Sequence, residues 1–241
     1  MSAQRTLHLQ WFERASRSVV DGNMEHWIAT ELHNLAWHAT IDAISRYGHF
    51  ADAQRVLDVG FGWGRVVLGL KQAFPDVQLD GIELTPEFVE KANELVQTMN
   101  LDNVDLVQGD IYQYSNEGEP YDLVYATRVL HYLDDKVAAL KRMHGALRPG
   151  GRLVVLVPNR WCPAQWVSYR HGLYSPRKLM ENVQEAGFSN VKFRSIRFLP
   201  GAVAGRLGHE SPVRYLERAL QRTPPTRWMG ALAIVTAQRP G

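Results

Sequence analysis

The stretch Arg55-Val-Leu-Asp58-Val-Gly60-Phe-Gly62-Trp-Gly64-Arg65 decides how the rest of the chain is read. Val56 to Val59 is an apolar run holding one acid, which predicts a buried strand. Glycines follow at alternate positions, and Arg65-Val-Val-Leu-Gly-Leu-Lys71 then reads as a helix start. Strand, glycine turn and helix are the opening of a nucleotide-binding crossover. The glycines let the backbone approach a flat, bulky ligand that any Cβ would hold off. The helix start then turns its free N–H groups toward the ligand's polar atoms. The spacing is G-x-G-x-G, whereas a dinucleotide site has G-x-G-x-x-G, and Arg65 stands where that third glycine would be needed. Asp58 is poorly placed beside a pyrophosphate, because like charges repel, and suits a ligand with a cationic end.

S-adenosyl-L-methionine has that character: a neutral adenosine, a sulfonium and an amino acid tail with an ammonium group. At this point the sequence resembles the class I S-adenosylmethionine-dependent methyltransferases. Their first motif is an acid followed by G-x-G-x-G, and Asp58, Gly60, Gly62 and Gly64 match it position by position. The resemblance implies this cofactor and an α/β fold: a Rossmann-like seven-stranded sheet of order 3-2-1-4-5-7-6, its last strand antiparallel, with helices on both faces. A second apolar strand, Gln78 to Ile82, ends at Glu83, ~20 residues after the glycine turn, where a ribose-binding acid is expected. A carboxylate can accept from both hydroxyls of a diol. Leu84 follows it and is counted with the cofactor residues. After a third strand, Val104 to Val107, the resemblance implies that Asp110 accepts from the adenine amine and that Ile111 contacts the ring. After a fourth strand, Asp122 to Ala126, it brings Thr127 and Arg128 to the cofactor. Leu147-Arg-Pro149-Gly150-Gly151, ahead of an unbroken apolar strand Leu153 to Val157, is a further family match. The likeness thus covers roughly residues 55 to 160.

The regular alternation of strand and helix from Arg55 onward itself predicts a parallel sheet covered on both faces. Thr85-Pro86-Glu87 reads as a helix start with Thr85 as N-cap. Residues 1–50 read as an N-terminal helical cap, with Ile28, Leu32, Leu35, Ala39 and Ala43 at helical spacing. Residues 51–241 read as the methyltransferase domain, carrying an aromatic loop at 159–175 and a lid insertion at 199–227. Two last strands are expected at Val191 to Phe198 and Ala231 to Ala237, with a bulge near Ser195, where the apolar phase breaks. The insertion contains a helix over about residues 211–222 whose Arg214, Arg218 and Arg222 recur at i, i+4 and i+8. This reads as a solvated basic stripe; the alternative is contact with an anionic substrate or a lipid surface.

A chain of 241 residues with 45% hydrophobic and 22% charged residues is ordinary for a globular protein, and a formal charge of +2 is too small to imply nucleic acid. The single cysteine, Cys162, excludes an internal disulfide and a cysteine-based metal cluster. His33 and His38 are five apart and off one helical face, so no metal is expected. No apolar run is long enough to span a bilayer, and the first residues lack the apolar core of a signal peptide. The expected location is the cytoplasm, without stable membrane insertion. Nothing in the sequence sets an oligomeric state.

A sulfonium is already an activated electrophile, so the protein's task is to align a nucleophile behind the methyl group and exclude water. A hydroxyl acceptor also needs a base. His131 is the first choice, because it follows the fourth strand closely and an unperturbed histidine titrates near neutrality. It reads also as a helix-start residue with no proton to move. His171, Tyr174, Tyr132 and His33 are weaker candidates. The aromatic loop Trp161-Cys-Pro-Ala-Gln-Trp166-Val-Ser-Tyr169 and the tryptophans of the cap point to a small, largely apolar organic acceptor, methylated on O, N or C. Nucleic acid is the alternative that the basic C-terminal region would explain, although no separate RNA-binding module is present. Lipid is another: Gly62-Trp63-Gly64 is similar to the cyclopropane fatty acid synthases, but Glu83 stands where that group usually has a hydroxyl residue. A protein that holds the cofactor and transfers nothing is the third.

Overall fold

In the computed structural model, seven strands form one sheet in the order β3-β2-β1-β4-β5-β7-β6. The structure describes residues 31–162, 173–197, 219–220, 223 and 228–241, with side chains from residue 37 onward. The strands are β1 (Arg55–Val59), β2 (Gln78–Glu83), β3 (Val104–Gln108), β4 (Tyr121–Thr127), β5 (Leu147–Pro158), β6 (Ser189–Ile196) and β7 (Leu232–Gln238). The helices are α1 (Glu31–Gly48), α2 (Arg65–Ala73), α3 (Pro86–Thr98), α4 (Lys136–Ala146) and α5 (Pro176–Glu185). β1 to β5 pair in parallel, and β7 runs antiparallel to both β5 and β6. This is the order and direction that the sequence led us to expect.

Strand alternation sorts the side chains to two faces. Leu57 and Val59 of β1 join a core with Leu140 and Met143 of α4 and Leu179 and Val183 of α5. Val56 joins the opposite core, with Ala43 and Ile44 of α1, Val67 and Leu70 of α2, and Ala92 and Val96 of α3. β1 lies between β2 and β4, with Asp58 opposite Gly81 on one side and Tyr125 on the other. The chain therefore reverses its direction of growth at the β1/β4 seam. Right-handed crossovers leave a crevice there at the strands' C-terminal ends.

Three local expectations are corrected. β5 begins at Leu147, so the Leu-Arg-Pro-Gly-Gly segment is the irregular start of the strand, with a register shift against β4 between Tyr121 and Leu123. Gly150 takes φ 75 there, and its N–H donates to the Arg239 carbonyl. The irregularity in β6 falls between Ser189 and Lys192. Ser195 keeps its register, is buried, and its hydroxyl accepts from the Gly230 N–H, so a polar residue in phase was satisfied and not expelled. Thr85 is the N-cap of α3 but makes no side-chain cap bond, and its own N–H donates to Glu83.

Of the N-terminal cap, residues 1–30 lie outside the described residues. So do 163–172 of the aromatic loop, including Trp166, Tyr169 and His171, and all of the insertion 199–227 except 219–220 and 223. Among the described residues, no helix is long and apolar enough to cross a membrane.

Candidate cofactor site

The glycine turn is held from below by its own apolar residue. Phe61 is buried and packs on Gly81 of β2, where an added Cβ would sit 2.6 Å from its ring. Gly60, Gly62 and Gly64 all have positive φ, at 74, 57 and 88. They have different surroundings. A Cβ on Gly60 would lie 2.3 Å from Val129, on the turn after β4, and one on Gly64 would lie 3.0 Å from Ala92 of α3. A Cβ on Gly62 would meet none of the described residues within 4 Å. Two of the glycines thus serve close packing, and the middle one faces no side chain among the described residues.

Glu83 sits beside Gly62. One carboxylate oxygen accepts from the Gly62 N–H at 2.9 Å and the other from the Thr85 N–H at 3.0 Å. It was expected as a ribose acid; what the structure shows is that it braces the turn, with accepting capacity left on each oxygen. Leu84, the next residue, is 37% exposed. Its carbonyl accepts from the Gln108 side chain at 3.3 Å, and the Gly109 N–H donates to the Glu83 carbonyl at 2.9 Å, which joins the ends of β2 and β3. Asp110 accepts from the Tyr112 N–H at 3.0 Å, a turn closed by its own side chain, and Ile111 is buried in the core on the α4 side.

At the end of β4, Thr127 pairs with Leu156, and the Arg128 N–H donates to the Leu156 carbonyl at 2.7 Å. Arg128 has φ 58, a left-handed conformation uncommon for a residue with a side chain and frequent at functional sites. Its guanidinium is close enough to Arg65 to act on it: burial first, then repulsion from Arg128, lowers the Arg65 pKa. Trp37 of α1 lies under the Arg65 guanidinium at 5.4 Å, and its indole N–H donates to the Arg65 carbonyl at 2.8 Å. His131 lies on a short 3-10 turn, Leu130–Tyr132; it is 6% exposed, with its ring 3.8 Å from that of Tyr132.

Asp58 is wholly enclosed. Among the described residues neither carboxylate oxygen has a partner in strict hydrogen-bonding geometry, and the buried Tyr125 hydroxyl on β4 is the polar group that faces them. Burial pushes the Asp58 pKa up to about 8; the Tyr125 hydroxyl works against that rise, and the Glu83 charge adds to it. Burial and then Asp58 push the Tyr125 phenol well above its ordinary value. Nothing in the sequence singles out Tyr125, a polar-tipped residue in an apolar strand. Only the β1/β4 register puts it next to the acid.

Asn159 was missed as well. It is fully buried just after β5; its side-chain amide donates to the Trp228 and Gly230 carbonyls at 2.8 and 2.7 Å, and its oxygen accepts from the Trp161 N–H. It thereby gathers Trp161, Trp228 and Phe193, the last two stacked at 4.5 Å. Tyr174, a weaker candidate base, is turned inward: the Asn182 side chain donates to its hydroxyl at 2.6 Å, and burial pushes its pKa up to about 12. It holds its proton at neutral pH.

An open cradle over one glycine, an acid with two backbone donors beside it and a buried acid behind it fit a flat nucleoside with a cationic tail. A sheet of this order with that turn at its reversal has the class I methyltransferase architecture. A solved methyltransferase from Thermotoga maritima, described as a possible histamine N-methyltransferase, superposes with a TM-score of 0.67 at 20% identity, covering 93% of this chain and 97% of its own. The methyltransferase-domain family model matches residues 56–151. A trans-aconitate 2-methyltransferase of Pseudomonas paraeruginosa is 28% identical over 147 residues, 60% of this chain and 51% of that protein. Another from Deinococcus radiodurans is 35% identical over 104 residues, 43% of this chain and 38% of that protein. The sheet, the glycine turn and these matches liken the chain to the class I S-adenosylmethionine-dependent methyltransferases, with the family match confined to residues 56–151. The matched stretch spans about half or less of these curated relatives.

Proposed function

We propose that this protein binds S-adenosylmethionine over Gly62 and transfers its methyl group to a small organic acceptor. The observation that carries the reading is the middle glycine, in a left-handed conformation that faces no described side chain while Gly60 and Gly64 are packed. When bound, the cofactor supplies an electrophilic methyl group. Glu83 is proposed to take the ribose, Leu84, Asp110 and Ile111 the adenine end, and Asp58, Thr127 and Arg128 the amino acid end. His131 is proposed as the base for a hydroxyl acceptor, supported by its position two residues beyond Val129, which touches the glycine turn. Residues 1–50 are proposed to cover the donor, since Trp37 reaches Arg65.

For the acceptor, two features favour a molecule with an apolar body and an anionic group. Trp161, Phe193 and Trp228 cluster beside the C-terminal end of β5, and Arg65 and Arg128 approach each other at the β1/β4 exit. The relatives that act on trans-aconitate by name fit the second feature. Calorimetry should detect binding of S-adenosylmethionine or its demethylated product, and Asp58→Ala and Glu83→Ala should each weaken it by about 1 kcal/mol or more. Unchanged affinity in both variants would refute the assignment. Incubation with labelled donor and fractionated extract would then identify the acceptor, and full turnover of a hydroxyl acceptor by His131→Ala would remove His131 as base.

A further inference from the structure

α1 is seated on the rest of the chain along one stripe. Trp37, Ile41, Ile44 and Gly48 recur at i, i+4, i+7 and i+11, the spacing of one helical face. Toward the C-terminal end of α1, Ile44 is fully buried, and a Cβ on Gly48 would lie 2.9 Å from Leu123 of β4. Toward its other end the partner is α2, the helix that leaves the glycine turn. A Cβ on Gly69 of α2 would lie 2.2 Å from Ile41 and 2.6 Å from the Trp37 ring. A glycine inside a helix is destabilising relative to alanine, and this one makes the notch in which both α1 side chains sit.

From the notch Trp37 reaches the corner where the turn becomes helix. Its indole N–H donates to the Arg65 carbonyl at 2.8 Å, and its ring lies under the Arg65 guanidinium at 5.4 Å. In a regular helix the same carbonyl takes the N–H of the residue four further on, which here is Gly69. The earlier corners of the turn are held from the sheet and its crossovers: Gly60 by Val129, Phe61 by Gly81, the Gly62 N–H by Glu83 and Gly64 by Ala92. Arg65, the last corner, is held from α1.

We propose that Trp37 is a positioning residue for the methyl donor: seated in the Gly69 notch, it fixes Arg65 and the start of α2, so that docking of α1 and binding of the cofactor favour each other. This rests on the proposed cofactor reading. The free N–H groups of a helix's first turn point at whatever the preceding loop holds, so their direction sets how well a ligand is held. With Trp37 in place that turn is ordered before the ligand arrives, and less ordering is left to oppose binding. Linkage makes the effect mutual: the factor by which docked α1 raises cofactor affinity is the factor by which bound cofactor favours docked α1.

The test is amide hydrogen exchange and calorimetry on the full chain with S-adenosylhomocysteine. Bound ligand should slow exchange over residues 37–48 of the wild type by about tenfold. Trp37→Phe keeps a ring in the notch and removes the indole N–H, and affinity should fall about three- to fivefold. Gly69→Ala should lower affinity by about tenfold, although alanine is the better helix former and would by itself firm α2. In both variants the protection of residues 37–48 by the ligand should shrink along with the affinity. A residue that only stabilises the fold would lower the melting temperature and leave affinity and protection as in the wild type. Exchange in α1 that ignores the ligand in the wild type, or full affinity in either variant, would overturn the proposal while leaving the cofactor reading intact. The wild-type exchange decides even where a variant fails to fold, and a wild type that binds no ligand would overturn both.

Discussion

Two acids sit on adjacent strands of this sheet, offset by one step of register and on opposite faces, and they are treated in opposite ways. Asp80 of β2 accepts from the Arg55 guanidinium at 2.7 and 3.1 Å, from the Tyr121 hydroxyl at 2.8 Å and from the Gln78 amide at 2.6 Å. Arg55 also lies over the Tyr121 ring at 4.8 Å. Burial works against the Arg55 charge, but Asp80 more than offsets it and raises the guanidinium's pKa. Asp58 of β1 has no such bond. A carboxylate whose role ends with the fold is surrounded by donors in the folded chain. One left without them carries a cost that folding does not relieve, and such cost collects where a ligand completes the site.

The comparison can be broken at either acid. The largest effect is expected in the pH dependence of the ligand-free protein. The folded state keeps a proton on Asp58 that the unfolded chain has released, so the wild type should lose stability relative to Asp58→Asn as pH rises from ~4 to about 8, and no further above that. The total is on the order of 5 kcal/mol, read from urea midpoints across pH; parallel curves for the two proteins would place Asp58 among the satisfied acids. Next comes Asp80→Ala, which strands the part-buried Arg55 guanidinium and should cost about 3 kcal/mol in the same assay at pH 7. A loss below about 1 kcal/mol would make the Asp80 network decorative.

Gly62→Ala sharpens the contrast between packing and binding in the turn. Its Cβ meets no atom of the described residues, so the stability cost should be that of the left-handed backbone, about 1–2 kcal/mol. Affinity for the cofactor should fall by more than tenfold. Full affinity in that variant would mean the cradle lies elsewhere. Ser195→Ala, far from both acids, removes the bond from the Gly230 N–H and should cost about 1 kcal/mol, with cofactor affinity unchanged.

The strands were legible because apolar runs of the right length alternate with helical stripes; their order was implied by the family resemblance that the glycine spacing carries. Sequence spacing also brought forward Glu83, at the end of an apolar strand. It did not show that Glu83 grips the Gly62 N–H, since that contact spans the two arms of a crossover. The bulge expected near Ser195 was misplaced because a polar residue in a strand looks like a break in phase until its partner, Gly230, is seen 35 residues away.

The sequence by itself determined the strand-turn-helix unit, the parallel core and the residue types at the crevice, because backbone sterics and apolar periodicity are local properties. Only the tertiary structure decided that Gly60 is held by Val129 while Gly62 meets no described side chain, that Asn159 draws Trp161 and Trp228 together, and that the buried Asp58 faces Tyr125. Each of these depends on which strands become neighbours and in what register, and a carboxyl's desolvation is set by atoms that are remote in sequence.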